Sequence, residues 1–514
     1  MAIRASRRQF LGATSVGALA VLAACAGQDQ DQSQRQSAPQ IEPDARRSLP
    51  IPPLATFDTE GERLTTLLVA QTGTSEILPG VFTPTWGFNG AHLGPTIKMS
   101  RGDKVDLKVR SDLSERTSVH WHGALVPAKA DGGPHSPIDP GQEWTASFEV
   151  DQPAATIWYH PHPHGKTGVQ AYRGLAGMMI IDDEHSNSLG LPNEYGVDDI
   201  PVVLMDANIN DDGSLDETED PDVGLLGNIV HVNGIADPVF EASTQRLRLR
   251  ILDGSTMRFH RLAFEDGRRF QHIATDTGLF DAPREVDSIM LGPGERAEIV
   301  VELNKGEEVM LRSVGFKDNL GVPKDEFAPD FGLEDSHDLL LLRAADKLKG
   351  SSKVASSFVA RPAPNSDGLI ERHFELNGFE INGQSMDMDR VDLVIAHDQP
   401  EIWHVSNGNN DWIHNFHIHN SAFKVIDVDG TDAEFDTEGW KDTVTLPPKA
   451  KVKLLVEFGD YSDNHYPYMY HCHMLYHEDQ GLMGQFMKIR PGQKAELDTA
   501  YTKEKAAGST EHDH

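Results

Sequence analysis

The chain has 514 residues, with 46 Lys+Arg against 80 Asp+Glu, 24 His, 2 Cys and 38% hydrophobic residues. That length suits several domains with real cores, and the composition is that of globular proteins, not of disordered or fibrous ones. A formal net charge of −34 argues against nucleic acid as a partner, because phosphate binding needs a basic surface; it favours cations.

The first predicted element is an address. Ser6-Arg7-Arg8-Gln9-Phe10-Leu11 opens an uncharged run from Phe10 to Ala24, which ends in Leu22-Ala23-Ala24-Cys25. The run has 15 residues, short for a membrane span. The paired arginines resemble a twin-arginine export signal, which carries folded proteins. The ending resembles a bacterial lipoprotein processing site with Cys25 as the lipidated N-terminus. Residues 1–25 are therefore expected to direct export to the periplasm or cell envelope, with attachment to a membrane only through Cys25. Residues 26–48 are Gln/Asp/Pro-rich and read as a flexible tether. With Cys25 spent there, Cys472 is left as one mature cysteine without an intramolecular disulfide partner.

Beyond the tether, period-2 stretches dominate, as at Val105, Leu107 and Val109, at Leu247, Leu249 and Ile251, and at Leu454, Val456 and Phe458. Helical periodicity is scarce, so the fold class is all-β. Asn-Gly recurs at Asn89-Gly90, Asn233-Gly234 and Asn382-Gly383, spaced 144 and 149 residues apart. A second marker, a Pro-Gly or Pro-Pro turn before an alternating strand, recurs at Pro140-Gly141, Pro293-Gly294 and Pro447-Pro448, spaced 153 and 154. Two markers with one period imply three copies of one β-domain, each suited to a Greek-key sandwich. The copies are placed at 49–185, 198–345 and 368–492, with a Ser/Ala/Lys/Pro-rich linker at 346–367 and a polar tail at 493–514.

Four clusters hold eleven of the 24 histidines: His120-Trp-His122, His160-Pro-His162-Pro-His164, His414-Asn-Phe-His417-Ile-His419 and His471-Cys472-His473 with His477. Two clusters lie in the first repeat and two in the third. Imidazole and thiolate suit copper or zinc, whereas calcium or magnesium wants carboxylates and carbonyls. In an extended strand residues i and i+2 share a face, so each His-x-His pair can present two imidazoles to one centre. Four pairs exceed the needs of one ion and suggest a cluster between repeats one and three. Cys472 points to the opposite face from His471 and His473, and with His414 and His477 completes a His₂Cys set, the blue-copper arrangement.

At these residues the chain resembles the three-domain multicopper oxidases, and is most similar to the bacterial copper-efflux oxidases and bacterial laccases. The match runs from about Phe82 to Ile489, and includes Asp151-Gln-Pro-Ala-Ala through His164-Gly-Lys-Thr-Gly and Gly439-Trp-Lys-Asp-Thr-Val. The resemblance implies three cupredoxin-like domains, the middle one without copper ligands, and about four copper ions. It implies that His414, Cys472 and His477 bind the type 1 copper, that His120 and His417 bind the type 2 copper, and that His122, His160, His162, His419, His471 and His473 bind the type 3 pair. His164 has no ligand role in that pattern. The family mechanism takes single electrons from a reductant at the type 1 site, passes them through Cys472 to His471 and His473, and reduces O₂ to water. Asp131 and Glu478 match carboxylates that assist proton delivery.

Two departures bear on the substrate. The family's axial methionine falls ten residues after the cysteine, where this chain has Leu482, with Met483 one later; an alkyl group cannot coordinate, which raises the potential. The methionine-rich insert of the copper-efflux oxidases is absent, and Asn410 followed by Asp411 stands where those enzymes tend to have an acid four residues before the type 1 histidine. The expectation is a laccase-like oxidase of phenols, aromatic amines or metal ions, with the acidic stretch Asp325-Glu326, Asp330, Glu334-Asp335 and Asp338 as an attractor of cations. The alternatives are a cuprous oxidase acting in copper tolerance, a copper-sequestering protein, or an exported envelope-assembly protein of the same fold.

Overall fold

The computed structural model describes residues 41–42, 45–324, 327–358, 361–397 and 399–498. The export signal with Cys25, most of the tether, Asp325-Glu326 and the end of the tail lie outside the described residues. No helix among the described residues is long and apolar enough to cross a membrane.

Six antiparallel-dominated sheets pack in three successive pairs, and this is the cupredoxin-like all-β architecture. The first pair draws on strands from Asp58–Glu60 to Gly177–Asp182, the second on Asp199–Ala207 to His337–Lys349, the third on Ile370–Asn377 to Met483–Ile489. Each pair sets its first long strand parallel to one that follows after two or three intervening strands: Arg63–Ser75 with Lys104–Ser111, Asp199–Ala207 with Arg246–Asp253, Ile370–Asn377 with Glu401–Asn407. That parallel pairing needs a crossover, which makes each unit a Greek key and not a simple meander.

The Asn-Gly markers are one structural device used three times. Asn89, Asn233 and Asn382 adopt left-handed backbones, with φ of 56°, 50° and 53°. Each side chain is stitched to the first long strand of its own sandwich. The Oδ1 accepts from Val69, Val203 or Glu375 N, and the Nδ2 donates to Leu67, Pro201 or His373 O two residues earlier. Asparagine tolerates the left-handed region and carries both a donor and an acceptor, so it serves both needs.

The second marker also holds, with one shift. Gly141 and Gly294 are left-handed, and the residue in their place in the third copy is Lys449, φ 63°, so the third turn is Pro448-Lys449 and not Pro447-Pro448. The backbone confirms that alignment: Gln142, Glu295 and Ala450 each donate three residues back, to Asp139, Gly292 and Pro447 O. A proline cannot adopt positive φ, which is why the marker slides by one residue there.

Alternation reads cleanly where one face is wet, as in Lys104–Ser111, whose burial alternates at every residue. It vanishes in Ala155–His160, buried throughout because the middle sandwich covers its second face: Thr156 donates to Glu298 and accepts from Arg250 there. Ser48 bridges Val239, and Leu49 is buried in the middle sandwich's core.

Candidate metal centres

His414 lies on the strand His414–Ile418, Cys472 just past Tyr468–His471, and His477 on the short helix Leu475–Asp479. Cys472 Sγ is 3.8 Å from His414 Nδ1 and 3.7 Å from His477 Nδ1, and the two nitrogens are 3.1 Å apart. Bonds of about 2.0–2.3 Å at about 120° need donor separations of about 3.5–3.8 Å, which the two sulfur–nitrogen distances match, while the closer nitrogens correspond to an angle of about 100° at one ion. The far nitrogens are spoken for: His414 Nε2 faces Asn409 Oδ1 at 3.0 Å, and His477 Nε2 donates to Asp222 O at 3.0 Å. Both Nδ1 lone pairs are thereby turned toward the sulfur. Burial pushes the Cys472 thiol up to about 12 and the His477 imidazole down to about 4.

Leu482 is buried in the same apolar cluster as Cys472, and its carbonyl accepts from Cys472 N. Met483 begins the strand Met483–Ile489 and lines a recess with Tyr470, Arg372 and His373.

The eight imidazoles of the four His-x-His pairs converge between the first and third sandwiches, and all are buried. His122, His160 and His473 form one trio, with Nδ1 of His122 3.1 Å from Nε2 of His473, and Nε2 of His160 3.4 Å from the same atom. His162, His419 and His471 form a second, with Nε2 of His471 3.3 Å and 3.2 Å from the other two Nε2 atoms. His120 and His417 complete the set: their Nδ1–H groups donate to Asp131 O and Asp442 O, each at 2.9 Å. Their Nε2 atoms are buried with no hydrogen-bond partner. Orphaned buried nitrogens are costly, and a coordinated ion is what satisfies them. Burial, then mutual repulsion, holds His120, His162, His419 and His473 far below the usual imidazole range, so their lone pairs are free for metal.

Asp131 accepts from His419 Nδ1 at 2.7 Å, and burial raises its carboxyl well above the usual range. Glu478 lies 3.2 Å from His162 Nδ1 and 3.1 Å from His471 Nδ1, and accepts from Thr167 Oγ1 at 2.7 Å. His164, by contrast, is exposed, and the trios do not include it.

Two multicopper oxidase family models match residues 69–186 and 359–491. The multicopper oxidase mco of Staphylococcus haemolyticus is 37% identical over 428 residues, covering 81% of this chain and 87% of that protein. The chain belongs to the multicopper oxidase family. Its relatives include the cell division protein FtsP of Edwardsiella tarda, 34% identical over 95% of this chain and 99% of that one. The crystal structure of a laccase from Pediococcus acidilactici superposes with a TM-score of 0.78 at 36% identity, over 88% of this chain and 95% of that one. The family is one of copper oxidoreductases, and the three trios with the His120/His417 pair are where copper fits.

Four supporting residues carried no spacing signal in the sequence. Asn409 Oδ1 meets His414 Nε2. Asn415 Oδ1 accepts from His473 N and lies 3.5 Å from Cys472 Sγ, while its Nδ2 donates to Pro293 O in the middle sandwich. Asp442 faces His122, and Arg296 faces Asp442. Asp442 lies in the stretch Gly439-Trp-Lys-Asp-Thr-Val that carries the family resemblance, but nothing about that stretch alone ties it to a particular histidine. Of the acidic stretch's described residues, Glu334 pairs with Lys324, Asp335 with Arg258 and Asp338 with Arg312. Asp330 joins a different group, with Asp220 and Asp411 around Asp222, whose carboxyl is raised by burial and by those neighbours.

Proposed function

We propose that the protein is a laccase-like oxidase that draws electrons one at a time from electron-rich aromatics, phenols and aromatic amines, and delivers them to O₂. The reading rests on one observation: all eleven expected donors converge, nine as three buried trios and His120 and His417 as a pair whose Nε2 atoms have no hydrogen-bond partner. Copper, when bound, supplies one-electron chemistry at the His₂Cys set and an O₂ site at the imidazole cluster. In this assignment His414, Cys472 and His477 hold the type 1 ion, His120 and His417 the type 2 ion, and His122, His160 and His473 with His162, His419 and His471 the type 3 pair. Cys472 joins the two centres through the few bonds to His471 and His473. Asp131 and Glu478, each in contact with cluster imidazoles, hold protons for the reduced oxygen.

The surroundings of the His₂Cys set support an aromatic reductant. His414 and His477 are both fully buried, so a donor meets what covers them. Trp412 stacks on His477 with ring centres 5.5 Å apart and planes 20° from parallel, and Phe379 stands edge-on to the same ring at 5.4 Å. Asp222, whose backbone accepts from His477, brings negative charge to this rim and favours cationic aromatic amines.

The FtsP relatives favour a second reading, a cell-division or envelope protein without turnover. Copper loading separates the two: the oxidase reading requires a blue protein with about four copper ions per chain, and Cys472→Ser without the blue colour but with most of the cluster copper. A colourless protein after copper loading, or a blue Cys472→Ser, overturns it. For location, the proposal is twin-arginine export with a lipid anchor at Cys25. Arg7→Lys with Arg8→Lys should hold precursor in the cytoplasm, and Cys25→Ala should release soluble protein; a Cys25→Ala protein still on the membrane rules out the anchor.

A further inference from the structure

His122 is bound differently from its neighbours in the cluster. His120, His160, His417 and His471 each donate Nδ1–H to a backbone carbonyl, of Asp131, Pro161, Asp442 and Cys472, and so turn Nε2 inward. A carbonyl can only accept, which fixes the proton on Nδ1. In His122 the ring is reversed. Its Nε2 faces Asp442 Oδ1 at 3.1 Å and Thr443 Oγ1 at 3.3 Å, and Nδ1 faces the cluster. No carbonyl enforces this; the one carboxylate on the ring's outer side does.

That carboxylate is itself held by the middle sandwich. Arg296 points two N–H groups at Asp442, one to each oxygen. Its other three go to backbone carbonyls: Nε to Thr156 O at 3.1 Å, Nη1 to Gly294 O at 2.7 Å, Nη2 to Asp276 O at 3.0 Å. All five donors of one guanidinium are thus used, on the first, second and third sandwiches together. Two glycines make the room. A Cβ on Gly123 would lie 2.7 Å from both Arg296 Nη2 and Asp442 Oδ2, and one on Gly294 2.9 Å from the His473 ring. The glycine after the His120-Trp-His122 pair is therefore the space Arg296 and Asp442 occupy.

We infer that Arg296 and Asp442 are positioning residues that fix the Nε2–H tautomer of His122, so that the middle sandwich, without a ligand of its own, sets the donor atom of a ligand in the first. This rests on the copper reading above. An amide at position 442 cannot reproduce it, because one of its two ends would be an NH₂ facing an Arg296 N–H. If the NH₂ takes the Oδ1 place it also drives the His122 proton to Nδ1, the metal side.

The test is copper binding by competition titration, with electron paramagnetic resonance of the loaded protein. Wild type is compared with Asp442→Asn, Arg296→Met, Arg296→Lys and, as a control, Asp199→Asn, which breaks another buried pair, Arg250–Asp199, that touches no cluster histidine. Asp442→Asn and Arg296→Met should keep the blue colour but bind cluster copper about 10- to 100-fold more weakly. Copper that is spin-coupled and silent in the wild type should become visible, Arg296→Lys should recover part of the affinity, and Asp199→Asn should keep it all. Unchanged cluster copper in Asp442→Asn, or equal loss in Asp199→Asn, overturns the inference. A wild type that takes up no copper overturns the oxidase reading beneath it.

Discussion

Leu482 and Met483 are neighbours in sequence that face different surroundings. Leu482 shares its apolar cluster with Cys472, and Met483 turns to a recess beside Tyr470. A thioether near copper donates electron density and stabilises the oxidised ion; an isobutyl group cannot. Leu482→Met should therefore lower the potential of the type 1 site and weaken oxidation of the harder phenols, while Met483→Leu barely moves it. A redox titration checks both, and a raised potential in Met483→Leu would assign the axial place to Met483. At this scale the converging histidines and cysteine were legible, since His-x-His spacing and an intervening cysteine are local patterns. The residues that aim them were not: Asp442 meets His122 across 320 positions and Arg296 meets Asp442 across 146, distances at which no spacing rule operates.

The three Asn-Gly turns differ in how deeply they are set. Asn233 is buried, whereas Asn89 and Asn382 serve more exposed strands, so the same stitch carries different weight in each sandwich. Removing the buried side chain strands Val203 N and Pro201 O without partners, at a cost of about 1–3 kcal/mol; the exposed pair can turn to water and should cost less. Denaturant unfolding of Asn233→Ala, Asn89→Ala and Asn382→Ala should rank them in that way, and equal losses would mean the turn backbone carries the effect. Alternation and the repeated markers made the sandwiches readable from the sequence because both are local. The exception was the third Pro turn, where the residue that matters is the left-handed Lys449, an identity that no turn rule favours. Gly123→Ala belongs to this scale as well. Its backbone sits at φ 85° and its Cβ space is filled, so the substitution should disturb the cluster and reduce cluster copper, measured by metal analysis, while the blue colour persists.

Across the whole molecule, the sandwiches are joined by buried charges as well as by apolar cores. Glu298 of the middle one receives Arg248, Arg250 and Thr156, the last from the first sandwich. Burial works against its ionisation, but Arg248 and Arg250 prevail and bring it down from 4.5 to about 2. A carboxyl depressed on folding contributes stability that is present above its unfolded value and is lost as pH falls toward its folded value. The stability gap between wild type and Glu298→Gln should hold at pH 6 and shrink between about 4.5 and about 2, as followed by thermal unfolding across that range. A gap that grows on acidification would contradict the assignment. Cys472 lies between His471 and His473 and so ties the His₂Cys set to the imidazole cluster; the central claim is about their joint action, and oxygen uptake by copper-loaded protein tests it most directly. With a substituted aromatic amine or phenol as donor, about four donor molecules should be oxidised per O₂ consumed, without peroxide accumulating. Uptake of about one O₂ per two donors with release of peroxide, or no uptake by a fully loaded blue protein, would contradict it.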